Sequence, residues 1–361
     1  MVGGATGLVS KPTFHIPSLD GIRTFSFGVV FAAHAGLYFI VPGGFGVTVF
    51  FFLSGFLITT LLRQEFDKNG TVSLRNFYIR RAFRILPPFY LVLITASVLT
   101  LLGVLKGHLE LPAVLSQALH YANYRIVFHG YSGFPLGTAV YWSLAVEEHF
   151  YLLFPLLFLT LQKAGISAKG QALSLLGLCA LALVWRCILV YGLHSPLDRT
   201  YVASDTRFDS ILFGCALALY GNPMLDAPLG SDKLWKRWLL PLGILGLVAC
   251  FLIRGNAFRE TLRYSLQGIS LIPVFVCAMR FPTWGLMRVL NYRPIAFIGV
   301  LSYSLYLMHQ VVLFGLTPML EPRVGVIATA MVSLVISVAL AWLVHRFIER
   351  PFARLRRHFS G

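Results

Sequence analysis

Two histidines, a glutamate and an arginine lie in segments too apolar to carry them without a reason. His34 sits in SLDGIRTFSFGVVFAAHAG (18–36), eleven residues after Arg23, Glu147 in WSLAVEEHFYLLFPL (142–156), and Arg186 and His309 in two further apolar stretches. Ionisable side chains inside a membrane segment are expensive and are retained where they are used. A carboxylate beside an imidazole fixes its tautomer and favours proton acceptance, so this set suits removal of a proton from a hydroxyl. The same residues equally suit a proton or ion path, or a network in which they satisfy one another. Residue types alone leave catalysis, transport and structure open. A second cluster, Arg80, Arg81 and Arg84 in YIRRAFRILPP (78–88), offers guanidinium forks that grip phosphates, although an ordinary cytoplasmic anchor has the same composition. Ser54 lies in PGGFGVTVFFFLSGFLITTLL (42–62) with no G-x-S-x-G elbow around it, and reads as a helix-packing serine. Cys179, Cys187, Cys215, Cys250 and Cys277 form no CxxC pair and no His/Cys ligand spacing, so buried apolar thiols and no metal site are expected.

These side chains must be positioned by membrane helices. The chain has 361 residues, of which 57% are hydrophobic and 12% charged, and its mean hydropathy is +0.75. A soluble surface needs more charge than this. The net charge of +16 therefore fits cytoplasmic loops and anionic lipid rather than nucleic acid. A spanning helix needs about 20 mostly apolar residues. On that measure the spans are 20–41, 45–62, 85–104, 140–161, 171–192, 208–221, 238–253, 264–280, 295–317 and 325–345. This is an all-α, polytopic, single membrane domain over 1–361 with about ten spans. Placing both termini in the cytoplasm puts most of the 30 basic residues inside. The opening MVGGATGLVSKPTFHIP lacks the apolar region of a cleavable leader, so the first span is expected to remain. At 1.5 Å per residue, His34 lies about 21 Å above the inner end of span one, and Glu147 about 10 Å below the outer end of span four. His309 and Arg186 fall close to the same level, which predicts one layer of two imidazoles, a carboxylate and a guanidinium. The 105–139 stretch is read as a re-entrant or surface segment. Its histidines, His108, His120 and His129, are expected to be solvated, with acceptor binding as the alternative.

Taken together, the segments resemble the acyltransferase-3 family of integral membrane O-acyltransferases over nearly the whole chain. The resemblance rests on SLDGIR (18–23) with His34 at the family's Arg, ten residues, His spacing, and on FFLSGFLITTLL (51–62). It also rests on Arg81-x-x-Arg84, WSLAVEEHFYLLFPL (142–156), SYSLYLMH (302–309) and FIERPF (347–352), in that order. His149 stands where glutamine is common in the family, and Thr24 where glycine is common. The resemblance implies acyl transfer, acetyl by default, from cytoplasmic acyl-coenzyme A to a sugar hydroxyl of a polysaccharide, glycolipid or glycoside. It implies a bacterial inner membrane location and no tightly bound cofactor, with acetyl-CoA as donor substrate. A fused extracytoplasmic domain, present in some members, is not expected. Carried over by residue, His34, Glu147 and Arg23 are catalytic, and Arg80, Arg81 and Arg84 bind the donor. Arg186, Tyr303, His309, Trp142 and Ser143 contact the oxyanion or the acceptor. A glycolipid or proton-coupled transporter or flippase using the His/Glu layer, and a sensor or scaffold, are the readings from other classes.

Overall fold

The computed structural model describes residues 17–359, and within them the chain is helical with no strand. α1 (Pro17–Ala32) continues through a π-helical turn, Ala33–Leu37, in which Gly36 adopts a φ of 102°. α2 (Gly43–Asn69) and α3 (Leu74–Leu101) follow, then the short α4 (Leu111–Ala118) and α5 (Ala122–His129). Next come α6 (Trp142–Lys163), α7 (Ala168–Cys187), α8 (Leu197–Val202) and α9 (Ser204–Leu219). The remaining longer helices are α10 (Asp232–Leu252), α11 (Leu262–Arg280), α12 (Arg293–Val300) and α13 (Ser302–Val344). Among the described residues, seven helical runs are long and apolar enough to cross a membrane: Gly43–Asn69, Leu74–Leu101, Ala139–Lys163, Ala168–Gly192, Asp232–Leu252, Leu262–Arg280 and Ser302–Arg356. The chain is a multi-pass membrane protein. The reading that no cleavable leader opens it falls on residues outside the described ones.

Several boundaries differ from the sequence expectation. α3 starts at Leu74 rather than 85, capped by Ser73, whose side chain accepts from the Asn76 amide. The arginines therefore lie inside the helix, in turns too charged to register as membrane-soluble. α2 likewise runs to Asn69 rather than 62. The predicted span 20–41 becomes the shorter α1, and 208–221 becomes α9, which starts at Ser204. The stretches 295–317 and 325–345 become α12 and one long α13, broken where Gly325 takes a φ of 79°. The 105–139 stretch folds as α4 and α5. His120, expected to be solvated, instead packs its ring 4.7 Å from that of Phe89, with Nε2 buried, while His108 and His129 are exposed.

α2 is the interior helix: 78% of its most apolar stretch is buried in protein, against 17% for α10. It comes into backbone contact with α9 because both present glycine at the crossing. A Cβ on Gly55 would strike the Ile211 carbonyl, and one on Gly214 would strike the Phe52 carbonyl. Without a water-driven hydrophobic force between helices, such close approach is what holds them together. The segment after α3 closes over the His309 end of α13. The Tyr141 hydroxyl donates to the Leu307 carbonyl at 2.9 Å, and Gly137 abuts the Gln310–Val311 backbone.

Gly55→Leu should force α2 and α9 apart at a destabilisation of about 1–3 kcal/mol or more. Thermal unfolding in detergent micelles checks this, and an unchanged midpoint would show that the crossing is not a tight one.

Candidate active site

α1 loses its helical geometry just after His34: Ala35 has ψ 17° and Gly36 a positive φ. Such π-helical interruptions recur at functional sites, because they turn a side chain out of the regular ladder. His34 Nδ1 lies 2.9 Å from His309 Nε2, with the rings 5.1 Å apart and inclined by 23°. The other nitrogen of His309 decides the proton arrangement. Nδ1 of His309 is 2.8 Å from the Tyr306 carbonyl oxygen and 3.2 Å from that of Leu305. Carbonyls only accept, so Nδ1 carries the hydrogen and Nε2 is the acceptor. His34 Nδ1–H must then donate to it, which leaves His34 Nε2 with a bare lone pair and no hydrogen bond within the described residues. His309 is fully buried, with Phe27 at 5.6 Å, Tyr306 at 5.7 Å and Phe31 at 6.4 Å between ring centres. His34 is only partly buried. Of the pair, its free nitrogen is the one able to meet a substrate.

The expected layer therefore needs correcting. His309, not Glu147, is the hydrogen-bond partner of His34. Along α6, Ser143, Glu147 and Tyr151 share one face at four-residue spacing. Ser143 Oγ is 2.6 Å from the Tyr306 hydroxyl and so belongs to the histidine level. Glu147 lies one turn below, bonded to Tyr151 and within electrostatic range of Arg81, Arg84 and Glu148. Tyr151 meets the Ser54 hydroxyl at 2.5 Å, and its ring lies 4.8 Å beneath the Arg81 guanidinium. Arg23 pairs with Asp20 and faces Arg84 and Tyr151. Arg23, Arg81, Arg84, Glu147 and Glu148 thus form one charged cluster, and Glu148 is a member the sequence reading missed despite its being next to Glu147. By helix rise Arg23 is about 16 Å from His34. It therefore belongs to the cluster and does not position the imidazole. These side chains are half-buried, and Arg84 is exposed, so the cluster is open to solvent.

Three predicted residues are engaged elsewhere. Arg80 binds Glu65 at 2.6 Å and the Phe359 carbonyl at 2.8 Å, pointing away from Arg81. The Tyr303 hydroxyl donates to the Ile85 carbonyl at 2.9 Å. Arg186 is fully buried and bonds Asp209 and Ser265 at 2.8 Å and the Thr206 and Thr261 carbonyls at 2.6 and 3.1 Å, tying α7 to α9 and α11. It is a structural clamp, fully buried and with four of its five N–H groups committed within the protein. Trp142 packs against Tyr201 at 4.9 Å and Phe51 at 6.3 Å. With Tyr264 these rings enclose Arg207, also fully buried and without a carboxylate partner among the described residues. Its sequence signal is the polar SDTRFDS (204–210), which overlaps the start of the short predicted span 208–221. The two C-terminal motifs meet where Ser304 and His345 both bond Glu349, at 2.5 and 2.7 Å.

The sequence profile of the acyltransferase-3 family, described as an acyltransferase domain, matches residues 16–346. The chain belongs to the acyltransferase-3 family. Among its relatives, the peptidoglycan O-acetyltransferase OatA of Listeria monocytogenes is 30% identical over 94% of this chain and 56% of its own. YrhL of Bacillus subtilis, provisionally named for the same activity, is 30% identical over 93% of this chain and 55% of its own. This acyltransferase-3 chain thus spans a little over half the length of the curated relatives it matches. No solved structure matches it.

Arg186→Met should destabilise the protein by about 3–5 kcal/mol, since Asp209 is left buried and unpaired. The double variant Arg186→Met, Asp209→Leu should recover most of that loss in thermal unfolding. A double variant as unstable as the single one would show that the pair is not what the clamp depends on.

Proposed function

We propose that this chain transfers an acyl group, acetyl by analogy with its relatives, from acyl-coenzyme A to a sugar hydroxyl, with His34 as general base. The observation that carries the reading is the His34–His309 bond, which leaves Nε2 unprotonated on a His34 that is only partly buried. The acceptor hydroxyl gives its proton to Nε2 as its oxygen attacks the thioester carbonyl. The imidazolium keeps its Nδ1–H donated to His309. Collapse of the tetrahedral intermediate breaks the carbon–sulfur bond, and the proton on Nε2 passes to the departing thiolate, giving an acyl ester and free coenzyme A. Arg81, Arg84 and Arg23 suit the donor's phosphates, because guanidinium forks hold phosphate oxygens in two-pronged contacts. Their separation of about 16 Å from His34 suits a long thin donor that lies along the Ser143–Glu147–Tyr151 face. The matching of these three arginines by Glu147, Glu148 and Asp20 favours exchange of substrate over permanent retention.

The proposed placement is one domain in a bacterial cytoplasmic membrane, with both termini inside. Adding α1 and α9 to the seven long runs, and counting the arms of α13 on either side of Gly325 separately, gives the ten crossings this topology needs. The arginine cluster then faces the cytoplasmic donor and His34 the outer half. The relatives' names favour a peptidoglycan-type glycan as acceptor.

In liposomes given labelled acetyl-coenzyme A and glycan strands, the wild type should release coenzyme A and yield O-acetylated sugar by mass spectrometry. His34→Ala should do neither while remaining folded, and His309→Phe should lose roughly 10²–10⁴-fold in turnover. Arg81→Gln should raise the donor KM, and Arg80→Gln should not. Full activity in His34→Ala would remove the base assignment, and glycan movement without acylation would point to transport.

A further inference from the structure

Beside α5 lies a cleft of about 530 Å³ whose lining includes Tyr121, Tyr124, Phe128, Glu110, Arg125 and His129. Its size falls within the range of about 300–1,000 Å³ usual for ligand sites. Two of its rings are turned outward: Phe128 is 74% exposed and Tyr121 40%. Its floor is polar. The Arg125 side chain is only 9% exposed and holds Glu110 at 2.7 Å through one terminal nitrogen. Nε and the other terminal nitrogen of Arg125 are buried and make no hydrogen bond. Unmade bonds on a buried guanidinium are expensive, and a site that keeps them has donors to offer.

We propose that this cleft binds sugar rings of the acceptor glycan next to the residue that is acylated; this rests on the O-acyltransferase reading above. The aromatic faces carry negative charge density that attracts the weakly positive C–H faces of a pyranose ring. Glu110 accepts from sugar hydroxyls, and Arg125 donates to ring or hydroxyl oxygens. Because the Glu110–Arg125 charges cancel, the cleft suits uncharged sugar rather than phosphate. A lipid chain would leave the free nitrogens of Arg125 unpaired. Its place fits the role. Tyr124 stacks 6.0 Å from His149, which bonds Ser204 at 2.7 Å and follows Glu147 by two residues on α6. The segment that carries α4 and α5 also packs on α13 beside His309 through Gly137 and Tyr141. The cleft is therefore beside α6 at the level of His149, and the segment that carries it reaches α13 next to His309.

The test uses the full chain in nanodiscs, acetyl-coenzyme A, and soluble peptidoglycan glycan strands stripped of peptide. Phe128→Ala and Tyr121→Ala change exposed side chains and should leave folding intact. Each should raise the glycan KM at least ten-fold while kcat and the donor KM stay unchanged. An unchanged glycan KM in both variants would overturn the cleft assignment and leave the O-acyltransferase reading standing. If the wild type transfers nothing to the strands, that reading fails, and saturation-transfer NMR with the same strands decides the cleft separately. Contact signals present in wild type and lost in Phe128→Ala would support it. Signals that survive the substitution, or are absent from wild type, would overturn it.

Discussion

A histidine buried in an apolar helix bundle has to spend both ring nitrogens on something, and His309 spends them in a fixed direction. The Tyr306 carbonyl can only accept, so the proton on His309 is assigned to Nδ1, and Nε2 is left to accept from His34. The orientation of one backbone carbonyl on α13 thereby sets the protonation state of a side chain at the end of α1. The surrounding architecture serves this bond. The π-helical turn and Gly36 end α1 where His34 needs to leave the helix. Phe27, Phe31 and Tyr306 hold the His309 ring in place. In the serine hydrolase triad an aspartate performs the orienting task; here a neutral imidazole does it, so no extra charge has to be buried beside the base.

The bundle joins this dry, tautomer-fixed level to a wet, charged one. The shared face of Ser143, Glu147 and Tyr151 on α6 connects them: Ser143 touches Tyr306 above, and Tyr151 touches Ser54 and Arg81 below. Charges away from this face are met locally, three arginines by carboxylates and Arg207 by aromatic rings. Arg186 is matched by Asp209, Arg63 by Asp226 at 2.8 Å, and Arg80 by Glu65. Arg81, Arg84 and Arg23, set against Glu147, Glu148 and Asp20, differ in sharing one cluster, at which Arg84 is exposed.

His34, His309, Glu147 and the arginine pair were legible in the sequence because ionisable residues in apolar segments are conspicuous. Their pairing was not. Helix rise gives the height of a side chain but not its direction, so Glu147 was placed beside His34 when its face of α6 points to Arg81. The same limit hid the divergence of Arg80 and Arg81, which a turn of about 100° per residue sends to different neighbours. Arg186 looked available because its partner, Asp209, lies on another helix 23 residues away. α3 was started late because hydropathy measures solubility in lipid, not helicity, and its first turns are helical and charged. Arg207 was overlooked because its compensation comes from aromatic faces, which leave no charge pattern in a sequence.

The claim on which the mechanism stands is the tautomer of His34, and nitrogen-15 solid-state NMR of histidine-labelled protein in lipid bilayers reads it directly. The account predicts that His34 carries hydrogen on Nδ1 and none on Nε2, with a coupling from Nδ1 across the hydrogen bond to His309 Nε2. A resting His34 protonated on Nε2, or one with no coupling to His309, would contradict it.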